Sequence, residues 1–198
     1  MKIEITNIKS KSKNKYTIVL DNEKEIDIIE YTLIKHGLYK GMKIEEDLLK
    51  EILRDDSINM AMSLSYKYLV SMRCEKELRD YLYKHNIDKT IINETIEKLI
   101  IDKYLDDREY AMCFARDKLI INRYGREKIK SLLYQKGINK NFIQAAIESL
   151  DYEVELENLI DAMQRKKSSL EGKKNSKEKL IAHLISKGYT YSMIKEVL

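Results

Sequence analysis

Apolar and polar positions alternate at the start of the chain and then change period. Ile3 and Ile5 alternate with polar residues, as do Tyr16, Ile18 and Leu20, and then Ile26 and Ile28. A period of two marks strands with one buried face, and the separating stretches "KSKSKNK" and "DNEK" are turn-like. Two or three short strands in a small antiparallel sheet are therefore expected up to about Ile29. Two short helices are expected next, near 30–36 and 44–54, broken at Gly37 and Gly41.

From about Ser57 the pattern turns helical and repeats. The stretches "ELRDYLYKHNIDKTIINETIEKL" (77–99), "KIKSLLYQKGINKNFIQAAIESL" (128–150) and "KLIAHLISKGYTYSMIKEVL" (179–198) align without insertion. Leu82, Leu133 and Leu184 stand 51 positions apart, as do Leu78, Ile129 and Leu180, and Ile92, Ile143 and Ile194. A fixed period with matching apolar positions signals a repeat architecture. Each unit holds three helical patterns, at about 107–121, 126–136 and 140–150 in the second. The middle helix ends on Asn86, Gly137 or Gly188, residue types that tolerate the left-handed conformation after a helix C-terminus. The expected fold is mainly α: a tandem array of three three-helix repeats behind a small antiparallel β module. Its boundaries are 1–56 for the N-terminal module and 57–105, 106–151 and 152–198 for the repeats.

Composition agrees with this pattern. Proline is absent and glycine occurs only six times, so little interrupts a helix. Lys, Ile, Asn and Tyr are all abundant, which makes Ile weak evidence for strands and leaves periodicity the better guide. Cys74 and Cys113 lie far apart with no Cys-x-x-Cys spacing. With no signal peptide and no apolar run of membrane-spanning length, a reduced, cytoplasmic protein with two buried thiols is expected.

Charge is uneven although the net value is only +4. Residues 108–144 carry nine bases and three acids, 145–161 carry six acids and no base, and 162–195 carry nine bases and two acids. Such alternation fits a polyanion partner, a partner of matching pattern, or solvated helix faces.

Candidate chemistry centres on "YLDDREYA" (104–111). Adjacent carboxylates could hold a metal, but this pair opens the second repeat's first helix. Asp106 with Glu109 fits a capping box, and Asp107 adds negative charge where the helix dipole favours it. Tyr110 and Phe114 share a face with the small Ala111, as close packing requires. His36, His85 and His183 are scattered, His183 reading as partly buried structure, and no phosphate loop or nucleophile elbow occurs. No catalytic residue, metal set or cofactor is expected, and the protein reads as a non-enzyme.

The cations carry more information. Arg73, Lys76 and Arg79 in the first unit, Arg116, Arg123, Arg126, Lys128 and Lys130 in the second, and Lys173, Lys174, Lys177 and Lys179 in the third fall at comparable phases. A stripe of this kind can follow a phosphate backbone or an acidic groove. Glu77, Asp80 and Glu127 interleave with it and dilute a pure nucleic-acid signal.

The chain resembles the RecX family, regulatory proteins of the bacterial recombinase RecA. The features that carry the resemblance are "YLVSMRCEKELRDYL" (68–82), "YLDDREYAMCFARDKL" (104–119), "YGREKIKSLLYQKGI" (124–138), "LISKGYTYSMIKEVL" (184–198) and "LIKHGLYKGM" (33–42). Cys74 departs from the family's usual small hydroxyl cap, and Asn86 from its usual glycine. The resemblance implies a monomer that binds in the groove of the RecA–single-stranded DNA filament. There it would restrain ATP hydrolysis, strand exchange and co-protease activity in recombination and repair, with weak affinity for free DNA. Arg73, Arg116, Arg123, Arg126, Lys128 and Lys130, chosen by charge and phase, are the candidate contacts. The alternative is a general DNA-binding protein whose three-helix units act like helix-turn-helix readers.

Overall fold

The structure, a computed structural model, describes residues 2–172 and 174–198; Lys173 lies outside them. The described residues form four strands and ten helices. They divide into two compact units: the chain up to Ser71 with Leu78–Tyr104, and Met72–Glu77 with Leu105–Leu198.

The first unit opens with β1 (Lys2–Ser12), β2 (Lys15–Leu20) and β3 (Glu25–Ile29), followed by α1 (Glu30–Lys35), β4 (Lys43–Glu45) and α2 (Glu46–Tyr68). The strands pair antiparallel in the order β3-β2-β1-β4. The alternating apolar residues Ile5, Ile18, Leu20 and Ile28 are buried with Leu38, Ile44, Leu49 and Ile52. Strand β4 was not expected, because its sequence "KIE" has one apolar residue and no visible alternation. Pairing of Ile44 with Ile3 on β1 makes it a strand.

Helix α2 is also longer than the expected 44–54, running 23 residues without a break through the 56/57 boundary. Its polar middle is satisfied in place: buried Asp56 accepts from the Ile29 amide at 2.9 Å, and Ser57 donates to the Leu53 carbonyl. Helix α3 (Glu75–Lys84) starts in the second unit and continues into the first, which ends with α4 (Lys89–Ile101). Leu78, Leu82, Ile92 and Leu99 are fully buried, and the Tyr68 ring stacks on Tyr81 at 4.1 Å.

The second unit contains α5 (Asp107–Ile120), α6 (Arg126–Gln135), α7 (Lys140–Glu148), α8 (Tyr152–Leu170), α9 (Ser176–Ser186) and α10 (Tyr191–Val197). One core gathers Tyr110, Ala111, Ala115, Leu119, Ile129, Leu133 and Ile143 together with Cys74. A second gathers Leu159, Leu180, Leu184, Tyr189 and Ile194. Cys113 is only partly buried, unlike Cys74, and its thiol donates to Glu109.

The 51-residue period is visible in backbone detail. Asn86, Gly137 and Gly188 all adopt positive φ, at 57°, 76° and 93°. The next amides, of Ile87, Ile138 and Tyr189, return to the carbonyls of Leu82, Leu133 and Leu184. This is the helix-ending motif in which a left-handed residue turns the chain back on its own last turn. Two residues after each left-handed position, Asp88, Asn139 and Thr190 cap the following helix through their side chains.

Candidate functional site: repeat junctions and the basic face

In the second unit, the start of one middle helix docks on the end of the next. At the first junction the Cys74 thiol donates to the Lys136 carbonyl at 3.5 Å, and the Lys76 ammonium donates to the Gln135 carbonyl at 2.9 Å. At the next junction the Gly125 amide donates to the Lys187 carbonyl at 3.0 Å, and the Lys128 ammonium to the Ser186 carbonyl at 3.4 Å. Residues 74 and 125 correspond in the repeat, as do 136 and 187. Both lysines thus meet the carbonyls that a helix C-terminus leaves unpaired, where the dipole favours a cation.

A carboxylate from the first helix of the next repeat completes each junction. Asp107 of α5 accepts the first amide of α3, Glu75 N, at 2.7 Å. Glu155 of α8 accepts the first amide of α6, Arg126 N, at 2.8 Å, and its other oxygen takes the Arg126 Nε at 2.6 Å. Glu155 is fully buried, so Arg126 is its neutralising partner and anchors α6 to α8. Burial raises the Asp107 pKa, an effect the Glu75 amide only partly offsets.

Glu77 accepts from the Cys74 amide at 3.2 Å and from the Lys136 ammonium at 2.6 Å. Burial alone would push Glu77 up, but Lys136 and the amide together hold it below the usual carboxylate value. Burial would likewise depress Lys136, yet Glu77 and Tyr110 keep it raised. Burial pushes the Cys74 thiol up to about 11, which keeps it a neutral donor.

The expected cations therefore occupy different environments. Arg116 on α5 is exposed and Lys130 on α6 half-buried, and neither has an ion-pair partner among the described residues. Arg73 is half-buried at the start of the second unit. Lys128 lies over the Tyr124 ring, 4.3 Å from its centroid. Arg123 has a left-handed backbone, with φ 53°, and pairs with Asp161. Its carbonyl accepts the buried Tyr189 hydroxyl at 2.9 Å, and burial pushes that phenol up to about 12. Arg126 is held by Glu155.

Asp106 accepts from the amides of Arg108 and Glu109, capping α5. The reciprocal half of the capping box is not made among the described residues: Glu109 takes the Cys113 thiol. Tyr110 and Ala111 are buried, with the Tyr110 and Phe114 rings stacked at 5.8 Å. Both aspartates of the pair bind main-chain amides of two different helices. Among the described residues no three His, Cys, Asp or Glu side chains converge to hold a metal, and no helix is long and apolar enough to cross a membrane.

Sequence reading missed Glu155, Asp161 and the second role of Asp107. One signal was available. The basic stretch 108–144 is followed at once by the acidic stretch 145–161, and Arg126–Glu155 and Arg123–Asp161 pair across those two blocks. Part of the alternating charge is internal neutralisation.

Comparison with known proteins gives the same frame. The family model for the first three-helix domain of RecX matches residues 61–99, and that for the second matches 106–147. The regulatory protein RecX of Bacillus cereus (strain AH820) is 33% identical over 95% of this chain and 72% of its own length. This chain belongs to the RecX family. The RecX of Bacillus thuringiensis (strain Al Hakam) matches to the same extent. A crystal structure of regulatory protein RecX superposes with a TM-score of 0.78 at 25% identity, covering 98% of both chains. RecX from Lactobacillus salivarius gives 0.67 at 25% identity over 72% of this chain and 95% of its own. The two matched models fall within the first two of the three repeats, and the third lies outside both.

Proposed function

We propose that this RecX-family chain regulates RecA by binding, as a monomer, in the groove of the RecA–single-stranded DNA filament and damping ATP hydrolysis, strand exchange and co-protease activity. The observation that carries the reading is one apolar position left open in every middle helix. Tyr83, Tyr134 and Ile185 correspond in the repeat and are 46%, 47% and 49% exposed. An uncovered apolar side chain at the same sequence phase gives each repeat the same kind of contact to offer a repeating partner. The open cations Arg116 and Lys130 add long-range attraction to a polyanionic filament, and single-stranded DNA is met within that filament.

The test is RecA's single-stranded-DNA-dependent ATPase with and without this protein at sub-stoichiometric amounts. The expected result is a fall in hydrolysis. Unchanged hydrolysis combined with tight binding to naked duplex DNA would replace this reading with a general DNA-binding protein.

A further inference from the structure

A depression of about 300 Å³ lies between the turn after α5, helix α8 and helix α9, lined by Arg123, Asp161, Arg165, Lys166, His183 and Lys187. Four permanent cations face it against one carboxylate. Asp161 pairs with Arg123 and, at 2.9 Å, with Arg165, so one acid is shared by two guanidinium groups. Lys166 and Lys187 have no ion-pair partner among the described residues. All four line one concavity, where a single carboxylate leaves positive charge in excess.

His183 reports that field. Its pKa is lowered by burial and by Lys166 and Lys187. Burial is the larger cause, and the two ammonium groups that an anion would neutralise add to it.

We infer that this depression, where the second repeat meets the third, is a binding site for a phosphate group. The guanidinium planes can donate in pairs to a tetrahedral oxyanion, and the ammonium groups supply point charge. Its volume is at the small end for ligand sites, which suits a phosphate and its immediate linkage. The phosphate can come from a strand backbone or from the terminal group of a nucleotide. The site is a property of this chain alone and does not rest on RecA.

The full chain has three histidines, His36, His85 and His183, so their ring protons are resolvable by NMR. Inorganic phosphate, ATP and a short oligothymidylate are titrated separately at low ionic strength while the ring pKa values are followed. Bound phosphate raises the His183 pKa, because it cancels the field of Lys166 and Lys187, and leaves His36 and His85 unmoved. A response to all three ligands supports the phosphate group itself. A response to the oligonucleotide alone supports a backbone source, and one to phosphate and ATP alone a terminal group. Lys166→Gln with Lys187→Gln weakens binding about tenfold per ammonium removed. Lys166→Gln alone serves as the second variant, and thermal melts verify that each folds. A His183 pKa unmoved by all three ligands, or the same response in the double variant, overturns the site. DNA binding with His183 silent also overturns it and leaves the RecA reading intact.

Discussion

Asp107 shows how one side chain can serve a helix other than its own. It sits in the first turn of α5, yet its carboxylate holds the first amide of α3. Burial raises its pKa, so the folded protein binds that proton more tightly than the unfolded chain. The associated stability is complete below the unfolded value of about 3.9 and is lost as pH rises through the raised folded value. Asp107→Asn retains an acceptor for Glu75 N and cannot ionise, so it loses the Asp107 share of the decline and keeps that of Asp56, whose pKa burial also raises. Asp107→Ala has no acceptor and is less stable than Asp107→Asn by about 1 kcal/mol. Urea unfolding across a pH series checks both; a decline as steep in the Asn variant as in the parent would assign the pH dependence elsewhere.

At the scale of the element, the two junctions follow one plan with different tolerances. A Cβ on Gly125 would lie 2.3 Å from the Gly188 carbonyl oxygen, a backbone atom that cannot move aside. The corresponding residue of the first junction is Cys74, buried against the Lys136 carbonyl. There a Cβ on Gly137 would meet only the flexible Lys76 side chain, at 3.1 Å. Gly125→Ala is therefore expected to cost about 3 kcal/mol through overpacking. Gly137→Ala costs roughly 1–2 kcal/mol, for its left-handed backbone. Circular-dichroism melts of the two variants read the difference, and equal losses would show the second junction to be as yielding as the first.

For the molecule as a whole, the useful division is between cations that hold the fold and cations left open. Arg126→Met leaves Glu155 buried without its counter-charge and should cost about 3–5 kcal/mol. Arg116→Glu and Lys130→Glu remove no partner within the described residues, so their stability should change by no more than about 0.5 kcal/mol. On the proposed reading, those two variants should instead weaken inhibition of the RecA ATPase. Full inhibition by the doubly substituted protein would remove them from the proposed surface.

The sequence alone determined the repeat. Apolar spacing, the left-handed positions Asn86, Gly137 and Gly188, and the "YLDDREYA" helix start all depend on residues close together in the chain, where period and turn chemistry can be read directly. Tertiary structure decided what each charge does. Nothing local distinguishes Glu155 from the other acids of its run, or Arg126 from Lys130; burial beside a particular partner does. The same holds for β4, a strand through its pairing with β1, and for the cationic depression, whose lining residues lie up to 64 positions apart between Arg123 and Lys187. Local pattern follows from the period of the backbone, whereas ion pairing and concavity arise only when distant segments are packed together.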